Sequence, residues 1–172
     1  MQESIRVTHA FSPVFREDSR VLLLGTMPSP KSRENGFYYS HPQNRFWPVM
    51  ASLLDEPLPR TPEEKRQLVL RHRIALWDVL HSCEIRGAED ASIRKPVPNP
   101  IDRLLEQTQI CAVFATGQKA AALYTRYCFP HTRLPVHTLP STSPANCRVG
   151  MEELLESYRE ILPFLKGEKE DE

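Results

Sequence analysis

The chain has 172 residues, 40% hydrophobic and 26% charged, and its 22 basic and 22 acidic side chains give a formal net charge of zero. A chain of this length buries roughly 70% of its unfolded surface in one core, enough to fold without disulfides or a structural metal. Neutrality argues against a wholesale nucleic-acid coat protein, and no apolar run approaches the roughly 20 residues of a membrane span. No signal segment opens the chain, so a cytoplasmic protein is expected. Its expected organisation is one domain over residues 1–166, with 167–172 as a frayed acidic tail. Cys83, Cys111, Cys128 and Cys147 form no C-x-x-C pair, which leaves reduced, mostly buried thiols rather than a zinc site or disulfide framework.

In chain order, Arg20 to Gly25 reads as a central strand buried on both faces and ending in glycine. A long loop, Thr26 to Gln43, follows, stiffened by three prolines, and a loop of that length inside a domain is usually functional. Asn44 to Leu54 reads as a helix with Pro48 in its first turn. Thr61, Pro62 and Glu64 form a capping box that opens a helix to about His72. Ile74 to Val79 is a second strand, and Asn99 caps a further helix. Ile110 to Thr116 is a third strand, which runs through Gly117 into an alanine-rich helix ending near Tyr127. Leu134 to Leu139 is a fourth strand, and Pro140 to Asn146 a loop. From Met151 to Leu165 apolar residues recur at three- and four-residue spacing, the mark of one amphipathic helix ending near Gly167. Alternating strands and helices predict a mostly parallel four-stranded sheet with helices on both faces. Ligands of such sheets bind outside the carboxyl ends of the strands.

Two loops, after Gly25 and after Leu139, reach that edge. The stretches containing them, 21–50 and 133–150, together carry a formal +4, whereas 152–172 carries −5. Neither loop has the spacing of a dinucleotide fingerprint or a P-loop, no cluster offers metal ligands, and no serine, cysteine or carboxylate has an adjacent base. What the loops offer is amides, hydroxyls, backbone N–H groups and aromatic rings. That set suits a heterocyclic base held by stacking and edge hydrogen bonds, with basic residues on phosphate.

Three segments, Gly25-Thr-Met-Pro-Ser29, His41-Pro-Gln-Asn-Arg-Phe-Trp47 and Ser141-Thr-Ser-Pro-Ala-Asn146, resemble the uracil-DNA glycosylase superfamily, most closely its hypoxanthine-DNA glycosylases. The stretch from Gly25 to Trp47 is also similar to the mismatch-specific uracil-DNA glycosylases. The resemblance implies a three-layer α/β/α sandwich that flips a deaminated nucleotide from DNA and hydrolyses its N-glycosidic bond in base excision repair. It implies no cofactor and no metal, a monomer acting on DNA, and a nucleoid-associated location if the source is prokaryotic. Most of the superfamily carries Asp, Asn or Glu just after the strand-ending glycine, where it acts on the attacking water. Thr26 and Met27 stand there instead, and Met27 cannot polarise water. In the hypoxanthine family that position is likewise apolar, and catalysis is assigned to the asparagine of the His-Pro-x-Asn stretch, which here is Asn44. A carboxamide is essentially non-basic, so Asn44 is expected to position water and stabilise the transition state electrostatically; on its residue type alone it reads as a helix N-cap.

The resemblance further implies a base pocket of Gly25, Thr26, Met27, Pro28, Ser29, Tyr39 and Thr116, with Tyr39 stacking on the extruded base. Thr116 stands where the hypoxanthine family has asparagine. Ser141, Ser143, Pro144, Ala145, Asn146, Arg148, Lys31 and Arg45 are expected to face DNA, with the Pro144–Ala145 tip entering the space the base vacates. Phe46 and Trp47 are expected to pack, and His41 to be a structural histidine. Two other readings stay open from the sequence: a mismatch-specific uracil or thymine glycosylase, and a non-catalytic nucleic-acid or nucleobase-binding module.

Overall fold

The computed structural model describes residues 3–8, 11–86 and 89–166; the expected frayed tail lies outside them. The strands are β1 (Ile5–Thr8), β2 (Val21–Gly25), β3 (Ile74–Asp78), β4 (Leu80–Ile85), β5 (Arg94–Pro98), β6 (Ala112–Thr116) and β7 (Val136–Leu139). The helices are α1 (Pro30–Asn35), α2 (Phe46–Leu53), α3 (Pro62–Arg71), α4 (Ile101–Glu106), α5 (Gln118–Tyr127), α6 (Phe129–Thr132) and α7 (Met151–Tyr158).

The four expected strands form the central sheet, in the order β3-β2-β6-β7 with every pairing parallel. All of β2 is buried because the period of two sends its side chains into two cores. Val21 and Leu23 join Met50 of α2, Leu68 of α3 and Tyr158 of α7 on one face. Leu22 and Leu24 join Leu104 of α4, Leu123 and Tyr124 of α5 and Cys83 of β4 on the other. Leu23→Ala should therefore cost about 2–5 kcal/mol, since it removes a fully buried side chain from a packed layer. Urea unfolding with an unchanged m-value checks this, and a loss below about 1 kcal/mol would contradict the placement.

Four features depart from the sequence reading. A second, antiparallel sheet in the order β1-β4-β5 lies beside the first. Its outer strands carry little apolar signal, because β1 buries only Val7 and β5 contains Pro96 and Pro98, which an edge strand tolerates. Helix α1 interrupts the expected long loop, with Ser29 as N-cap and Pro30 behind it. Asn99 does not cap α4; its Nδ2 donates to the carbonyls of Asp78 (2.9 Å) and Leu80 (3.2 Å). The last helix turns 3-10 over Arg159–Leu165, which contains Pro163. Proline lacks the N–H and crowds the carbonyl four residues back, here that of Arg159, where the α-helix stops.

The chain passes from β3 to β4 through Val79 alone. The N–H of Val79 bonds Gly25 O (2.8 Å) and that of Leu80 bonds Thr26 O (3.1 Å). Together with the Asn99 clamp, these bonds fix Asp78 opposite Gly25 at the carboxyl rim of the central sheet.

Candidate active site

The rim carries a cavity of about 340 Å³, lined from the first loop by Gly25, Thr26, Met27, Pro28, Ser29, Tyr39 and Asn44, from β6 by Thr116, and from the last loop by Ser141, Ser143, Pro144 and Ala145. The two loops named by the sequence thus meet at one site, and every expected base-pocket residue lines it.

Tyr39 is held by its neighbours on three sides. Its ring stacks on Phe46 at 3.9 Å between centroids and 12° between planes. Its hydroxyl lies 3.2 Å from Thr116 Oγ1. The hydroxyl of Thr116 donates to Leu24 O at 3.3 Å, so Tyr39 supplies the proton between the two. The backbone adopts a left-handed φ of 53°, uncommon for an aromatic residue and a local strain the surroundings must hold. The Trp47 indole N–H braces the same turn by donating to Tyr38 O at 3.0 Å. Phe46 and Trp47 are fully buried supports, consistent with packing residues. Burial first, and then the charge of Asp78, pushes the Tyr39 phenol upward in pKa, against a smaller pull from its Thr116 bond. The phenol therefore stays neutral at any working pH.

Asn44 precedes α2. Its Oδ1 accepts the Phe46 N–H at 2.8 Å and the Thr142 hydroxyl at 2.8 Å. Arg45 is the N-cap residue of α2, so Asn44 braces the helix start from one residue ahead of the cap while it lines the cavity. His41 lines the cavity, and its Nδ1 accepts the Gln43 N–H at 3.0 Å, a structural bond.

Besides Ser32 and Ile85, two cavity residues of more chemical consequence escaped the sequence reading. Thr142 is one, buried between expected contacts. Asp78 is the other, 3% exposed and, among the described residues, the one carboxylate lining the cavity. A Cβ on Gly25 would stand 2.5 Å from Asp78 Oδ1 and 3.2 Å from the Tyr39 hydroxyl. Glycine is needed at position 25 for that close approach, and Gly117, at φ 116°, for its backbone. The sequence signal for Asp78 was available: a lone acid ending an apolar strand beside a strand that ends in glycine.

In the last loop, Pro144–Asn146 form a 3-10 turn capped by Ser143, whose Oγ accepts the Ala145 N–H. Asn146 Nδ2 donates to Ser141 O, which closes the loop. Ala145 is exposed at the tip, and a second hollow reaching Gly117 and Gln118 lies on its other flank, so the turn stands between two depressions. Arg45 is tied to this loop. Its guanidinium donates to Val149 O and Asn146 O and braces this turn from beneath. Lys31 pairs with Glu34 at 3.3 Å. Arg148 is exposed and makes no hydrogen bond or ion pair among the described residues. No group of three or more His, Cys, Asp or Glu could hold a metal ion among the described residues, and no helix there is long and apolar enough to cross a membrane.

A family model described as the uracil DNA glycosylase superfamily matches residues 12–166. The chain belongs to that superfamily. Two archaeal members carry the name hypoxanthine DNA glycosylase. The Methanosarcina barkeri protein is 35% identical over 112 residues, 64% of this chain and 71% of its own. The Methanosarcina acetivorans protein is 30% identical over 146 residues, 83% and 90% of the two chains. A solution NMR structure from M. acetivorans, provisionally described as a uracil DNA glycosylase, superposes with a TM-score of 0.76 at 26% identity, covering 92% of this chain and 99% of that one. The chain is a DNA glycosylase of this superfamily, built on its parallel sheet flanked by helices.

Proposed function

We propose that this glycosylase extrudes deaminated bases from DNA, hypoxanthine foremost, and hydrolyses the N-glycosidic bond with water. In that step water oxygen bonds C1′, the electron pair of the C1′–N9 bond leaves with the purine, the proton lost by the water passes to solvent, and the purine anion takes one up from solvent. The products are free base and an abasic sugar.

The observation that carries the reading is Asp78 at the cavity rim. An ionised carboxylate only accepts hydrogen bonds. Hypoxanthine has an N1–H where adenine has an N1 lone pair, so Asp78 pairs with the deaminated base and repels the normal one. Uracil carries an equivalent N–H where cytosine has a lone pair. The carboxylate thus separates hypoxanthine from adenine and uracil from cytosine, but it does not separate them from guanine or thymine, which carry the same N–H. The purine ring fits the stacking face of Tyr39, whose other face rests on Phe46. The apolar Met27 and the names of the two Methanosarcina relatives favour hypoxanthine within the class.

The test is base release from duplexes each carrying one hypoxanthine, uracil, xanthine or mismatched thymine, followed by alkali. Hypoxanthine should be released fastest. Preference for uracil or thymine would favour a mismatch-specific enzyme, and binding without release a non-catalytic module. Arg148→Ala should weaken binding to every duplex alike and lower the slope of log K against log salt by about 0.9, the loss of one phosphate contact. An unchanged slope would remove Arg148 from the DNA interface.

A further inference from the structure

We propose that Thr142 is a positioning residue that locks the Asn44 carboxamide so that it presents only hydrogen-bond donors to the cavity. The inference rests on the glycosylase reading of the site.

The orientation of the carboxamide follows from its partners. A backbone N–H can only donate, so the Asn44 atom facing the Phe46 N–H at 2.8 Å is the oxygen. The Thr142 hydroxyl donates to that same oxygen at 2.8 Å. Both lone pairs are then in use. Thr142 is 1% exposed, so water does not compete for its hydroxyl. Its backbone carbonyl accepts the Arg45 N–H at 3.1 Å, which ties the last loop to the start of α2 and sets the distance between the two groups. Asn44 Nδ2 has no protein partner among the described residues, while Asn44 lines the cavity.

Asn44 therefore does not hold a water through its oxygen. Its Nδ2–H donates to an electron-rich atom, and in this reaction negative charge grows on the departing base. A donor already aimed there costs no reorganisation at the moment of bond breaking. With a freely turning carboxamide, that aim would be lost while the cavity kept its shape.

Three variants test this by single-turnover release from a hypoxanthine duplex, alongside duplex affinity and melting. Thr142→Val, which keeps the shape and removes the hydroxyl, should slow release about 10-fold or more while leaving affinity within about threefold. Thr142→Ser should restore the rate to within about threefold of wild type. Asn44→Asp, which turns an acceptor oxygen toward the cavity, should be as slow as Asn44→Ala. A Thr142→Val rate equal to wild type, a serine variant as slow as the valine one, or an active Asn44→Asp would overturn the inference.

A second readout needs no activity. The Asn44 side-chain NH2 signals, assigned by their loss in Asn44→Ala, should be a single sharp pair that shifts or broadens in Thr142→Val and returns in Thr142→Ser. An unchanged pair overturns the inference. A responsive pair in a protein that releases no base from any duplex sinks the functional reading and leaves the clamp standing.

Discussion

Asn44→Ala should slow base release by about 10²–10³-fold, the usual loss on removing one preorganised donor to developing charge. Duplex affinity should change little, because the proposed phosphate contacts lie on the last loop and Arg148. The same substitution leaves the Phe46 N–H and the Thr142 hydroxyl without their acceptor. A loss of about 1 kcal/mol in stability is expected from the missing cap, too small to unfold the domain. A protein that melts a few degrees lower, binds DNA normally and barely cleaves fits this account. Release at the wild-type rate would remove Asn44 from the chemistry and leave it a cap.

Asp78→Asn should change selectivity more than speed. A carboxamide can turn either an acceptor or a donor toward the base, so it pairs with the N1–H of hypoxanthine or the N1 lone pair of adenine. The ratio of hypoxanthine to adenine release should fall about 10–100-fold, in line with the roughly 1–3 kcal/mol that edge readout supplies. A further effect follows from charge: a carboxylate beside the base opposes negative charge on the leaving group, so the neutral variant carries no such penalty on the purine it accepts. Single-turnover rates on paired duplexes that differ at one base measure the ratio. An unaltered ratio would mean that another group reads the base edge.

The central sheet was legible because β2, β3 and β6 are apolar runs ended by glycine or a polar residue, and burial on both faces leaves no other composition; β7, with His137 and Thr138 exposed, carries a weaker signal. The second sheet was not, because its outer strands expose most of their residues and β5 is interrupted by prolines. Helix α1 carries a cap signature at Ser29 and Pro30, but six residues are too few for a hydrophobic period to register. Within the site, the two loops were found from their residue types and their place at the strand ends. Asn44 would have been read as a cap from its residue type; the family resemblance supplied the second role, and in the structure its oxygen is bonded at the start of α2 while the residue lines the cavity. Asp78 and Thr142 were missed for related reasons. Asp78 looks like the end of a strand until the parallel register sets it beside Gly25. Thr142 looks like a loop spacer until the fold brings it 2.8 Å from a residue 98 positions earlier. The bonds of Arg45 were not legible because counting formal charge along a chain ignores carbonyl partners contributed by the fold.

The account is tested most directly by incubating a hypoxanthine duplex with excess protein and identifying the released base by chromatography against authentic hypoxanthine. Free hypoxanthine should appear together with an equal amount of abasic site, and the strand should stay intact until alkali is added. A duplex bound tightly but left whole, or a strand cut without alkali, would contradict hydrolysis of the glycosidic bond at this site.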